Sequence, residues 1–158
     1  MNILVIPGGG GKTTLCQSHK NYFDIDNYWN INEEPEINMI KEFEIAKENN
    51  NTELIEKLIK DCMNYKAIKL KKNLNKKDAI ILVQSVEQAK IITNNKEKIF
   101  CFVPSVELHE FVMKKRKDND FVKKVCRQQR KNIIESGSKY MVYNNFQELG
   151  KLINENLN

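Results

Sequence analysis

The stretch NILVIPGGGGKTTL, residues 2–15, decides how the rest of the chain is read. Ile3, Leu4, Val5 and Ile6 form a continuous apolar run closed by Pro7. Such a run predicts a strand of a parallel sheet, buried on both faces. Gly8, Gly9, Gly10 and Gly11 follow, four residues without a Cβ, whose backbone N–H groups can turn inward and approach an anion closely. Lys12, Thr13 and Thr14 then open a helix, and the start of a helix favours negative charge.

Strand, glycine loop, lysine and threonine in this order are the parts of a Walker A phosphate loop. The strict pattern is Gly, four residues, then Gly-Lys-Ser/Thr. Gly11-Lys12-Thr13 fit it, but Ile6 stands at the first glycine's place, so Pro7 and Gly8 must make the turn. The competing reading is a plain glycine-rich turn; the strand before and the helix after favour the phosphate loop. On that reading Gly8, Gly9, Gly10, Gly11, Lys12, Thr13 and Thr14 hold the phosphates of ATP. Lys12 neutralises the β- and γ-phosphates, and Thr13 ligates Mg²⁺.

The next informative stretch is Tyr22-Phe23-Asp24-Ile25-Asp26. Read as a short strand, it projects Asp24 and Asp26 to one side. Beside a phosphate loop, the pair is expected to hold Mg²⁺ or to take a proton from an acceptor hydroxyl; a turn acid followed by a helix cap is the alternative. Trp29, the sole tryptophan, is either a stacking surface for a base or a partly buried anchor.

Residues 30–77 predict a helical insertion. Pro35 starts a helix to Glu48, Asn49-Asn50-Asn51 breaks it, and Thr52 caps a second helix carrying Leu54, Ile55, Leu58, Ile59 and Cys62 on one stripe. The pair reads either as an acceptor-binding arm or as a cover without a ligand role. Lys66, Lys69, Lys71, Lys72, Lys76 and Lys77 crowd the next strand. A solvated face is the ordinary reading of such a run; a nucleic-acid surface lacks interleaved aromatics.

Three further apolar runs predict strands at 79–83, 99–103 and 139–143. The first ends in Gln84-Ser85 and not in an acid, which shifts the metal role onto Thr13 and the Asp24/Asp26 pair. Ser85 with Gln88, Ser105, and Asn145 with Glu148 mark helix starts. Of the 26 basic residues only three are arginine, Arg116, Arg127 and Arg130, all inside 114–138. Guanidinium offers a planar fork that lysine does not, so this segment is expected to form a mobile basic flap over the phosphates. A solvated charged face is the alternative. His109 is assigned no role.

Five strands alternating with helices imply one domain over 1–158, a three-layer α/β/α fold with a five-stranded, mostly parallel sheet. The glycine loop then sits at the switch point of the strand order. The 158 residues suit a single domain. Four scattered cysteines, without a C-x-x-C, and two histidines speak against a zinc site and suit a reducing compartment. With no apolar run of spanning length and a strand starting at residue 2, the expectation is a cytoplasmic protein without a membrane segment.

These pieces resemble the P-loop nucleotide kinase superfamily. Pro7 before the glycines, Val83-Gln84-Ser85, Val103-Pro104-Ser105-Val106-Glu107-Leu108 through Arg116, and Val142-Tyr143-Asn144-Asn145 are similar to segments of guanylate kinases. Phe23-Asp24-Ile25-Asp26 instead resembles the D-x-D of small-molecule kinases such as shikimate kinase, and the acid of polynucleotide kinases. The guanine-binding segment of guanylate kinases is not recognisable between Trp29 and Lys77. The resemblance implies a P-loop NTPase fold and transfer of the γ-phosphate of ATP, with Mg²⁺, to a nucleoside or nucleotide. It implies Asp24 or Asp26 as base and Arg116, Arg127 and Arg130 as phosphate contacts. Polynucleotide phosphorylation, another small-molecule acceptor, and an ATP-binding module without turnover are the alternatives.

Overall fold

The computed structural model describes residues 1–30, 32–74 and 78–157. Lys76 and Lys77 of the lysine-rich approach lie outside the described residues. The chain runs β1 (Asn2–Val5), α1 (Lys12–Ser18), β2 (Tyr22–Asp24), α2 (Glu36–Glu48), α3 (Thr52–Asn73), β3 (Ile80–Val83), α4 (Val86–Ile92), β4 (Ile99–Pro104), α5 (Val106–Lys115), α6 (Asp120–Glu135), β5 (Tyr140–Tyr143) and α7 (Phe146–Leu157). The sheet order is β2-β3-β1-β4-β5, and every pairing is parallel, not merely most of them.

Alternation along the central strands divides the core in two. Ile3 and Val5 face one side with Ile81 and Val83, and there they meet Ala67 and Leu70 of α3, Val86 and Ala89 of α4 and Ile133 of α6. Leu4 and Ile6 face the other side with Leu82 and Phe102, against Leu15 of α1 and Leu149 and Ile153 of α7. Two layers of helix on one sheet are the outcome that buried, parallel strands demand. The β1-to-β2 connection moves one way along the sheet and the β3-to-β4 connection the other. The carboxyl end of β1 is therefore a switch point, where a crevice opens above the sheet.

Three local expectations change. Residues 22–26 are not one strand: β2 stops at Asp24, and Ile25–Tyr28 is a turn of 3₁₀-helix. The cause is Asp24 itself, whose Oδ1 accepts the Asp26 N–H at 3.1 Å and caps the turn. The second arm helix is capped by Asn51, whose side chain accepts from the Leu54 N–H, and not by Thr52. And 30–77 is only half an insertion. α3 is a single helix of 22 residues whose first part pairs with α2 and whose second part packs Ala67 and Leu70 on the sheet. It is thus also the crossover that joins β2 to β3. No helix among the described residues is long and apolar enough to cross a membrane.

Candidate functional site

A cavity of about 610 Å³ lies at that switch point. Its polar floor comes from the carboxyl ends of three strands: the glycine loop and Lys12 after β1, Asp24 and Asp26 after β2, and Gln84 after β3. Its opposite wall is largely apolar, with Ile59 of α3, Val112 of α5 and Phe121, Val122 and Val125 of α6. Phe43 of α2 meets Phe121 at 5.9 Å between ring centroids, so α2 and α6 touch at a residue that lines the cavity.

The loop is held from behind. Gly8 donates its N–H to Gln129 Oε1 at 2.8 Å, and its carbonyl lies 2.9 Å from His109 Nε2. Tyr143 donates its hydroxyl to the Gly10 carbonyl at 2.7 Å, and the Gly10 N–H closes a turn onto Pro7. The glycines are required by these contacts. A Cβ on Gly8 would stand 2.4 Å from Cys126 Sγ, and Gly11, at φ +94°, occupies the left-handed region. With the back of the loop so engaged, the N–H groups of Gly9, Gly11, Lys12, Thr13 and Thr14 find no acceptor among the described residues, and all five residues line the cavity. Lys12 is 7% exposed and enters no ion pair among the described residues.

The two acids behind the loop are driven apart in acidity. Burial pushes the Asp24 carboxyl above its ordinary value; Lys12 opposes this and the charge of Asp26 adds to it. Burial acts in the same direction on Asp26, but the Lys66 and Lys12 charges and hydrogen bonds from Lys66 and Gln84 outweigh it and hold that carboxyl below its ordinary value. The contacts are short: Lys66 Nζ to Asp26 Oδ1 is 2.8 Å and Gln84 Nε2 to Asp26 Oδ2 is 2.6 Å. Lys66 also lies 5.2 Å from the Trp29 ring centroid, which makes Trp29 a support for that lysine.

The arginine segment divides. Arg116 lines the cavity, paired with Asp118. Arg127 grips Glu110 through two bonds of 2.7 and 2.9 Å, and Arg130 donates to the Pro104 carbonyl at 2.8 Å; neither lines the cavity. Nor is 114–138 a detached flap: Cys126, Gln129 and Ile133 of α6 are buried against the loop and the sheet.

Two residues of the site escaped sequence reasoning. His109 is 2% exposed, and burial lowers its basicity. The neutral ring can bond a carbonyl only by donating, so Nε2 carries the proton toward Gly8. Its signal was weak: His109 precedes the buried Met113 by four residues and so shares its helix face. Gln129 is buried between Gly8 and Gln84, and a glutamine in a basic helix carries no signal of its own.

For Mg²⁺, Thr13, Asp24 and Asp26 bring a hydroxyl and two carboxylates to one cavity, the hard oxygen donors that this ion takes together with water. Among the described residues no group of three or more His, Cys, Asp or Glu is arranged to hold a metal without such help. Comparison of the chain with models of protein families, with curated proteins and with solved structures finds no match in any of the three.

Proposed function

We propose that the chain is an ATP-dependent phosphotransferase that moves the γ-phosphate of ATP to a nucleoside or nucleotide. One observation carries this reading. Five residues whose N–H groups lack an acceptor among the described residues, the buried Lys12 among them, share a cavity with two carboxyl groups whose acidities are shifted in opposite directions. Amides and lysine suit a polyphosphate, and an acid of raised pKa suits proton removal near neutral pH.

In this reading Gly9, Gly11, Lys12, Thr13 and Thr14 bind the phosphate chain, and Lys12 offsets charge that develops on the moving group. Asp24 takes the proton of an acceptor hydroxyl. The acceptor oxygen bonds to the γ-phosphorus as the bond from that phosphorus to the β–γ bridging oxygen breaks, and ADP leaves. Asp26 stays ionised and, with Thr13, would hold Mg²⁺, which supplies charge neutralisation and orientation of the phosphates. Ile59, Val112, Phe121, Val122 and Val125 exclude water and offer a nucleobase an apolar face.

The test is transfer of label from γ-labelled ATP, with Mg²⁺, to a panel of nucleosides, nucleotides and single-stranded oligonucleotides. Label in one class names the acceptor; label in none overturns the reading. A second reading, an ATP-binding module without turnover, has its own support. β3 is followed by Gln84 and not by an acid, and Asp26 is already engaged by Lys66. Calorimetric binding of ATP with no transfer to any acceptor would favour it.

A further inference from the structure

The described hydrogen bonds contain a chain that neither the fold nor the proposed reaction requires. Lys66 on α3 donates to Asp26 Oδ1. Asp26 Oδ2 accepts from Gln84 Nε2 at 2.6 Å, Gln84 Oε1 accepts from Gln129 Nε2 at 3.0 Å, and Gln129 Oε1 accepts from the Gly8 N–H at 2.8 Å. Five segments of the fold contribute: α3, the turn after β2, the residue after β3, α6 and the glycine loop.

The chain has a fixed direction. An ionised carboxylate can only accept, so Asp26 draws the NH₂ end of the Gln84 amide toward itself. That turns the Gln84 oxygen toward α6, which draws the NH₂ end of Gln129. The oxygen of Gln129 is then left for Gly8. Reversal of either amide would set two acceptors or two donors against each other at a partly buried site, at a cost greater than the loss of one hydrogen bond. Gln84 is anchored separately through its backbone, whose N–H donates to Gln88 Oε1 at 2.8 Å, and Gln88 Nε2 donates in turn to the Met63 carbonyl of α3. The strand end is therefore held still while its side chain transmits orientation.

We propose that Gln84 and Gln129 are positioning residues that couple Asp26 to Gly8, so that the hydrogen-bonding state of the carboxylate on the arm side of the cavity sets the conformation of the glycine loop on the other. The meaning of this coupling for nucleotide binding rests on the function proposed above; the coupling itself does not. A group that engages Asp26 from the cavity competes with Gln84, and the loosened relay releases the Gly8 peptide. By linkage, a ligand that orders the loop strengthens the hold on Asp26 by the same factor.

The test uses the full chain labelled with ¹⁵N and follows the Gly8 amide without nucleotide. Gln84→Leu, which removes a side chain that does not bond Gly8, is expected to shift the Gly8 resonance and lower its exchange protection several-fold. Asp26→Asn is expected to do likewise, because an asparagine can present either end to Gln84. In the Gln84→Leu background the link between Asp26 and Gln129 is absent, so Asp26→Asn should leave the Gly8 amide where Gln84→Leu alone puts it. A Gly8 amide unchanged in both Gln84→Leu and Asp26→Asn overturns the proposal, as does a response to Asp26→Asn that survives Gln84→Leu.

Titration with ADP separates the two claims. In the wild-type background Asp26→Asn should change ADP affinity by a factor that differs roughly fivefold or more from its factor in the Gln84→Leu background. Equal factors overturn the coupling and leave nucleotide binding intact. No ADP binding at all, with Gly8 still responding to residues 84 and 26, overturns the functional reading and leaves the relay standing.

Discussion

The floor and the far wall of the cavity are built on different principles. The floor is polar and pinned: Gly8 and Gly10 are bonded to Gln129, His109 and Tyr143, and Asp26 is bonded to Lys66 and Gln84. The far wall is a set of apolar side chains on α3, α5 and α6, of which Phe121 also meets the Phe43 ring of α2. Directional bonds fix atoms to within fractions of an ångström, as group transfer requires, whereas apolar contact tolerates sliding. Under the function proposed above, the floor is where chemistry is specified and the wall is where an acceptor is selected.

Substitutions on the two sides should separate accordingly. The largest effect belongs to Lys12→Ala, which should lower transfer by roughly 10²–10³-fold or more while the circular dichroism spectrum is retained. An unchanged rate would remove the floor's claim to chemistry. Next comes Gly8→Ala, whose added methyl meets Cys126 Sγ at 2.4 Å. Overpacking of this kind should cost about 1–3 kcal/mol in urea unfolding. On the wall, Phe121→Ala should raise the acceptor KM several-fold with kcat little changed, because it removes contact surface and no charge. An equal fall in kcat would place Phe121 with the floor.

A subtler contrast concerns Lys66. Asp26 has a folded pKa below its ordinary value of 3.8, so its contribution to stability is complete above that value and is lost as the pH falls through the folded one. In Lys66→Met the carboxyl should titrate at higher pH by ¹³C NMR, and acid unfolding should begin at higher pH. The smallest effect is expected from Arg127→Ala. Its partner Glu110 is on the surface, so melting temperature and transfer rate should stay within error, whereas Arg116→Ala should lower kcat/KM about tenfold.

That last pair shows which parts of the molecule can be read in one dimension. The strands and the glycine loop were legible because their requirements are local: a continuous apolar run, absence of Cβ, a cap at a helix start. The parallel sheet and its two helical layers follow from that alternation. The arginines were legible as a cluster but not as to destination. Arg127 reaches a glutamate 17 positions earlier and Arg130 a backbone carbonyl 26 positions earlier, pairings set by how α5 and α6 cross. Asp24 and Asp26 were singled out by their spacing, yet their shared side on an extended strand was wrong, because a capping bond 3.1 Å long bends the chain between them. Lys66 was one lysine among many, and only the fold brings its Nζ within 2.8 Å of Asp26.

The unbroken course of α3 has a mechanical implication. At 1.5 Å per residue its 22 residues form a beam about 33 Å long, rooted in the sheet at Ala67 and Leu70 and overhanging the cavity at Ile59. A beam without a joint cannot fold down over its cargo; it can only tilt, and any tilt strains its root. The chain does leave helical geometry at the short α5–α6 corner, residues 116–119, so under the proposed function that corner, and not α3, is the expected place for the cavity to open.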